Sequence, residues 1–180
     1  MAVDTRGRIW VSYFDEGICG NFGWGHPGPH PLGASGLNCF DDDGSVIWSF
    51  PVDNDTGPMT ECYALNVQDN GAAAYTYYSE FRLCRISADF QIECFDADLQ
   101  GCRQFAISEH HVLFTGQWND AMNAGYLGRL IEGRVSDVEQ VEFTLPGGRP
   151  LTEGQFIGRG ERLHFFSDES WYSLSLAEQM

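Results

Sequence analysis

The sequence has little positive charge: 10 Lys and Arg residues stand against 26 Asp and Glu residues, a formal net charge of −16 in 180 residues. Proteins bind nucleic acids and anionic membranes mainly through Lys and Arg, so this balance argues against both kinds of partner. No apolar run approaches the length that spans a bilayer, and the polar start, residues 1–8, has no apolar signal core. We therefore expect a cytoplasmic protein.

Recognisable catalytic and metal-binding motifs are also missing. The sequence contains no G-x-S-x-G, H-E-x-x-H or Walker loop. Its six cysteines form no C-x-x-C pair and no zinc-like cluster with histidine, and Cys39, Cys84 and Cys94 alternate with polar residues in strand-like segments. We expect reduced thiols that pack as small hydrophobic groups, and no cofactor.

Glycine and aromatic residues are abundant, with 21 glycines and 14% aromatic residues. Short strands joined by tight turns have such a composition. A strand followed by an acidic or glycine turn recurs four times, and alignment of Phe40, Ile86, Ile131 and Leu176 gives steps of 46, 45 and 45 residues. This is the period of a four-stranded propeller blade.

The repeats predict an all-β, β-propeller-like fold: a single partial domain, residues 1–180, of about four four-stranded antiparallel blades. When the strands are labelled a to d outward, the chain reads bcd, abcd, abcd, abc. We therefore expect the first blade to lack its innermost strand and the last to lack its outermost. The repeats cover approximately residues 1–52, 60–97, 101–146 and 150–180. Open strand edges invite pairing with another chain, so we also expect a homodimer. The alternative is that the four sheets close into a small ring of their own.

Strands b and c carry the sheet-to-sheet contacts of a propeller, which predicts the buried core. Eight residues of these strands are expected to be largely buried: Trp10, Leu37, Phe40, Tyr75, Ile86, Phe114, Ile131 and Phe165.

Two sets of residues resemble known propellers. Ile9-Trp10-Val11, followed by Gly36–Asp41 and Asp43-Gly44, looks like the blade motif of regulator-type propellers. A larger part of the chain is similar to the C-terminal portion of a family of uncharacterised bacterial propeller-like proteins. The residues that carry this second resemblance are Tyr13–Gly17, Gly20-Asn21, Trp24-Gly25, Cys62–Val67, Arg159-Gly160 and Leu163-His164. In that family about two more blades precede the matching region. The resemblance implies a propeller and brings no established activity.

The segment Tyr13–Gly36 is the most unusual stretch, because it inserts about twenty residues between strands b and c of the first repeat. Propellers place binding groups on long loops at a blade end, where the sheets hold them. We predict ligand-binding roles for Asp15, Glu16, Asn21 and Trp24. The first three of these could also ligate a divalent cation or act in acid–base chemistry. The alternative is a plain acidic turn with the tryptophan packing the loop down.

Two other b–c regions carry similar residues. Trp118 lies in the long polar loop of the third repeat, and Tyr78 and Glu80 lie in the corresponding region of the second. If the blades stack in register, all these loops share one face of the ring, and that face would suit a protein or a small polar ligand. The alternative is that the aromatic side chains close gaps between blades.

These features favour a non-enzymatic binding or scaffold module that uses the b–c loop face. One alternative is a metal-dependent propeller enzyme, catalysing a lactonase-like or lyase-like reaction with Asp15, Glu16 and Asn21 at its site. Another is a truncated fragment without independent function.

Overall fold

The structure is a computed structural model and describes residues 1–20, 28–51, 56–69, 71–76, 81–167 and 170–178, with only the backbone of residues 72–76. Strands make up 51% of the chain and helices 5%. Apart from one parallel pair, the strands pair antiparallel with neighbours that follow one another in chain order, as they do in propeller blades. The fold is therefore all-β and propeller-like, as predicted.

The first sheet has four strands, one more than the sequence predicts. Its strands lie side by side in the order β1 (Ala2–Val3), β2 (Ile9–Ser12), β3 (Leu37–Phe40) and β4 (Val46–Ser49). The expectation that this blade lacks its innermost strand is wrong, because Ala2 pairs with Trp10 and Val3 with Ile9. A two-residue strand is too short for its alternation of side chains to be visible in the sequence.

The second sheet follows the predicted abcd pattern. Its strands β5 (Cys62–Gln68), β6 (Gly71–Thr76), β7 (Arg82–Ser87) and β8 (Ile92–Asp96) lie side by side in this order. Gly71 begins β6 with a φ of 153°, and a Cβ there would lie 2.2 Å from the carbonyl oxygen of Ile86. The close pairing of β6 with β7 therefore requires glycine at this position.

The third sheet also has four strands, and the fourth has three. The third contains β9 (Phe105–Ile107), β10 (His111–Thr115), β11 (Ala124–Ile131) and β12 (Arg134–Glu142). One parallel pair, Arg134 with Asp96, also joins β12 to the end of β8. A two-stranded hairpin follows, made of β13 (Thr144–Leu145) and β14 (Arg149–Pro150). The fourth sheet contains β15 (Gln155–Arg159), β16 (Arg162–Ser167) and β17 (Ser170–Ser175), and a 3-10 helix follows at Leu176–Glu178. This matches the predicted abc pattern for the residues that the structure describes.

The chain divides into two compact units, Met1–Cys94 and Phe95–Met180. In the first unit a core packs the first sheet against the second: Trp10, Leu37, Cys39, Phe50, Met59, Cys62, Val67, Cys84 and Ile86. In the second unit a core packs the third sheet against the fourth: Ala106, Leu113, Phe143, Leu151, Leu163, Phe165 and Leu176. Burial of these apolar side chains is the main force that holds each pair of sheets together.

Most of the predicted core residues are buried. Trp10, Leu37, Phe40, Ile86, Phe114 and Phe165 are buried as expected. Ile131 is only half-buried, and the side chain of Tyr75 lies outside the described part of the chain. The predicted roles of strands b and c are thus confirmed at six of the eight positions.

The expectation of reduced thiols is wrong for two cysteines. Cys84 of β7 and Cys94 of β8 form a disulfide, with their Cα atoms 4.1 Å apart. Adjacent strands bring facing residues to about this distance, so the two side chains meet directly. Cys19 is free and exposed, while Cys39, Cys62 and Cys102 are free and buried. Within the described ranges, no helix has both the length and the hydrophobicity needed to cross a membrane.

Candidate functional site

The long loop of the first sheet opens with a short helix that carries two of the predicted site residues. Helix α1 spans Asp15–Cys19, and both Asp15 and Glu16 lie exposed in its first turn. Phe14 precedes the helix with 62% of its surface exposed. The loop therefore presents two carboxylates and one phenyl ring to solvent.

Partly buried hydrogen bonds hold the base of this loop. The Tyr13 N–H donates to the Gly36 carbonyl oxygen at 2.9 Å, which continues the β2–β3 ladder by one pair. Asn38 of β3 is buried, and its Nδ2 donates to the Leu32 carbonyl at 2.7 Å while its Oδ1 accepts from Ser35 Oγ at 2.7 Å. A buried amide that uses both its donor and its acceptor fixes the path of the backbone that it bonds.

A close approach fixes the returning arm of the same loop. Gly33 is buried against Tyr13, and a Cβ at this position would lie 2.4 Å from two atoms of the tyrosine ring. No real Cβ tolerates that distance, so the packing of the loop requires glycine here.

The start of the second sheet meets this loop and adds a third carboxylate. The Cys62 N–H donates to the Tyr13 carbonyl at 3.0 Å, and Glu61 precedes it at the surface end of β5. Partial burial and then the negative charges of Asp15 and Glu16 raise the pKa of Glu61. We call Asp15, Glu16 and Glu61 the acidic platform. Its field disfavours further negative charge and favours a cation.

Sequence reasoning missed Glu61 because it lies 45 residues from Glu16. A topological signal was present. In an up-and-down sheet the b–c loop lies at the same end as the connection that leaves strand d and enters the next strand a. Residues just before β5 therefore had to approach the b–c loop of the preceding sheet.

Several predicted site residues cannot be placed. Asn21, Trp24, Tyr78 and Glu80 lie outside the described residues, so their binding roles stay predictions. No three His, Cys, Asp or Glu side chains within the described ranges are grouped so that they could hold a metal ion. The divalent-cation site at Asp15, Glu16 and Asn21 likewise stays a prediction.

Trp118 occupies the b–c loop of the third sheet, in the second unit. Asp120 organises this loop, because its Oδ2 accepts from the Gln117 N–H at 2.9 Å and from the Tyr126 hydroxyl at 2.8 Å. The Trp118 ring is 41% exposed, and its other side packs so closely on Gly101 that a Cβ there would lie 2.0 Å from Nε1. The tryptophan thus packs on Gly101 on one side and contacts solvent on the other, and its binding role stays a prediction.

The aspartates of the turn between β3 and β4 bond the backbone of their own turn. In the turn between β3 and β4, the Ser45 N–H donates to Asp41 Oδ1 at 2.8 Å and to Asp43 Oδ1 at 2.9 Å. Aspartates commonly bond nearby backbone in this way.

Comparison with known proteins finds similarity at the level of structure. No family model and no curated protein matches the chain. Among solved structures the chain is similar to that of streptogramin B lyase, with 14% identity and a TM-score of 0.46 over 97% of this chain and 53% of the lyase chain. The chain thus spans about half the length of that protein. A similarity at this level transfers no residue and no activity.

Proposed function

We propose that the chain is a binding module and that the acidic platform is its binding surface, which recognises a positively charged group on a peptide or small polar ligand. The observation that carries this proposal is the contact between Tyr13 and Cys62, which brings Glu61 beside Asp15 and Glu16. Without it the loop would present an ordinary pair of surface carboxylates.

The surroundings of the platform support a binding role in two ways. The Asn38 hydrogen bonds and the Gly33 contact hold its base. Folding has therefore already restricted the backbone there, and a ligand loses less binding free energy to ordering it. Phe14 lies exposed beside the carboxylates, and an aromatic ring adds apolar contact and attraction for a cation. An ammonium or guanidinium group is therefore the chemistry that the surface favours.

Fluorescence anisotropy with a labelled tetralysine peptide tests this function. The test variant carries Asp15→Asn, Glu16→Gln and Glu61→Gln. A matched control carries Asp42→Asn, Glu139→Gln and Glu153→Gln, all exposed positions elsewhere. Both variants remove three negative charges, and only the first removes the platform. We expect roughly tenfold weaker binding for the platform variant at constant salt, with the control close to the parent protein.

Equal weakening in both variants would show that the peptide senses only the net charge, and the proposal would be wrong. The metal-dependent alternative has its own measurement, a thermal-shift titration with Ca²⁺, Mg²⁺ and Mn²⁺. A shift that the Asp15→Asn and Glu16→Gln changes remove would favour the metal-binding alternative.

A further inference from the structure

A cavity in the second unit lies apart from the acidic platform and has a different chemistry. It has a volume of about 470 Å³ and lies between the end of the third sheet, with the β13–β14 hairpin, and the inner face of the fourth sheet. We call it the aromatic cavity, after the rings that line it: Phe143, Phe156, Phe165 and Tyr172. Cavities of about 300 to 1,000 Å³ accommodate small organic ligands.

The apolar part of the cavity wall belongs to the core of the second unit. Phe156 lies between Phe143 and Phe165, with ring centroids 5.1 Å and 4.9 Å away. Leu151 and Leu163 complete the wall and are buried. Tilted rings at these distances form a stable lining, so the cavity is a property of the packing and not of a single side-chain position.

Charged groups of both signs lie at the cavity, beside the polar residues Thr144 and Ser173 of its lining. Tyr172 lines the cavity, and Arg149 lies next to the lining, with its Nη2 3.5 Å from the Tyr172 hydroxyl oxygen. Within the described ranges no carboxylate pairs with Arg149, although acidic residues outnumber basic ones by 26 to 10. Glu142 also lines the cavity, and its Oε1 accepts a hydrogen bond from Asn123 Nδ2 at 2.6 Å. An available guanidinium beside a phenol is a typical receptor for an anion.

We propose that the aromatic cavity binds a small aromatic anion, with the ring system of the ligand against the phenylalanines and its acidic group at Arg149 and the Tyr172 hydroxyl. This site is additional to the acidic platform, which favours the opposite charge and lies in the other unit. The two proposals therefore stand or fall separately.

Two fluorescent probes that differ by one charge test the proposal. The first is 1-anilinonaphthalene-8-sulfonate, and the second is N-phenyl-1-naphthylamine, which has the same rings and no sulfonate. We expect saturable one-to-one binding of both probes. Arg149→Gln should weaken binding of the sulfonate roughly tenfold and leave the neutral probe unchanged, while Arg149→Lys should restore much of the sulfonate affinity.

Filling the cavity tests its location. Leu151→Trp places a large side chain in the cavity and should abolish binding of both probes. Leu145→Trp, from the half-buried wall of the hairpin, serves the same purpose if the first variant fails to fold. The control is Trp171→Ser, which changes the exposed ring cluster on the opposite face of the same sheet and should leave both affinities unchanged.

Three results would overturn the proposal. Binding of the sulfonate that Arg149→Gln does not weaken would exclude the anion role. Loss of probe fluorescence in Trp171→Ser would assign binding to the exposed face. Non-saturable binding, or binding that persists in a folded cavity-filling variant, would exclude the cavity.

Discussion

The interiors of the two units differ in how much polar material they bury. The first unit buries Asp4, Arg8, Asn38 and Asn66, whereas the second buries Thr115 alone among the residues that the structure describes. Both units consist of two stacked sheets built from the same repeat. The repeat therefore determines where strands and turns fall, and each pair of sheets fills its interior in its own way.

In the first unit the buried charges lie in the turn between β1 and β2. Asp4 Oδ2 accepts from Arg8 Nε at 2.7 Å and from Trp10 Nε1 at 3.1 Å, and Arg8 Nη1 donates to the Ala88 carbonyl at 2.8 Å. The guanidinium also lies over the Trp10 and Phe90 rings, 5.7 Å and 5.2 Å from their centroids. This arrangement ties the first sheet to the turn of the second through one cation.

The polar residue of the second unit makes a simpler connection. Thr115 pairs with Gln104 through its N–H, at 2.9 Å, and through its hydroxyl, at 3.2 Å. Gln104 Oε1 then accepts from the Gly158 N–H at 2.9 Å, which links the third sheet to the fourth. No buried charge is involved among the described residues, so we expect the two units to respond differently to substitution and to pH.

The largest effects should come from truncating one core ring in each unit. Trp10→Ala and Phe165→Ala both remove a buried ring of a strand b and should each cost about 4 kcal/mol of unfolding free energy. Hydrogen exchange read by mass spectrometry should show lost protection mainly in Met1–Cys94 for the first variant and in Phe95–Met180 for the second. Equal loss in both units for either variant would mean that the division into two units has no energetic counterpart.

Breaking the buried Asp4–Arg8 ion pair should lower the unfolding free energy somewhat less than the loss of a core ring does. Asp4→Asn leaves Arg8 buried without its carboxylate and should cost about 3 kcal/mol, while Asp42→Asn at an exposed position serves as a control. Burial alone would raise the pKa of Asp4, but the hydrogen bonds from Trp10 and Arg8 outweigh it and lower the pKa below 3.8.

The lowered pKa gives this residue a defined pH signature. The stability that Asp4 contributes is complete above its unfolded pKa near 3.8, and it is lost as the pH falls through the lower folded value. Urea titrations at pH 7 and pH 3 measure this contribution of Asp4 to the unfolding free energy. The difference between the parent protein and Asp4→Asn should shrink at pH 3, and a constant difference would contradict the electrostatic account.

Removal of the disulfide should have a smaller effect, confined to the first unit. Cys84→Ala combined with Cys94→Ala should cost about 2 kcal/mol, because the bridge closes a short loop of the unfolded chain. A thiol titration in denaturant checks the bridge itself. Four free thiols should react before reduction and six after it, and six before reduction would mean that the bridge does not form.

The smallest effect should be a gain. The pKa of Glu61 is raised in the folded state, so folding disfavours its charged form once the pH exceeds the unfolded value near 4.5. Glu61→Gln should therefore stabilise the first unit at pH 7 by about 0.5 kcal/mol, and Glu139→Gln on exposed β12 should not. The gain should vanish at pH 3, where Glu61 is protonated in both the folded and the unfolded state. Thermal melts of the Glu61→Gln and Glu139→Gln variants at pH 7 and pH 3 test this.

The sequence predicted the larger elements and missed those that depend on few residues. Strands b and c have alternation and a constant period, which is why the burial of Trp10 and Phe165 could be predicted. Strand β1 has two residues and no pattern. The Asp4–Arg8 pair lies in a turn whose only sequence signal is Gly7, which adopts a φ of 81°. Single charges near a glycine occur in most turns, so burial could not be inferred.

The candidate sites were predictable to different degrees. Asp15 and Glu16 stand out because the loop that carries them is long. The position of Glu61 could have been predicted from the strand directions, because it directly precedes β5 at the end of the second sheet that meets the loop of the first. The aromatic cavity has no sequence signature, because it depends on how the residue 144–150 hairpin packs over the fourth sheet. Likewise, alternation cannot distinguish a disulfide between strands from two buried thiols.

The exposed aromatic cluster of the fourth sheet has a consequence for behaviour in salt solutions. Trp171 and Phe166 are 64% and 41% exposed and lie with their rings parallel, 6.2 Å apart. In a chain of net charge −16, mutual repulsion keeps such surfaces apart at low ionic strength. At 0.1 M salt the screening length shortens to about 10 Å, so the repulsion weakens while the apolar attraction remains. Association through this aromatic cluster should therefore increase as salt is added, whereas association through ion pairs would weaken. Light scattering across a salt series distinguishes the two, and Trp171→Ser should remove the rise.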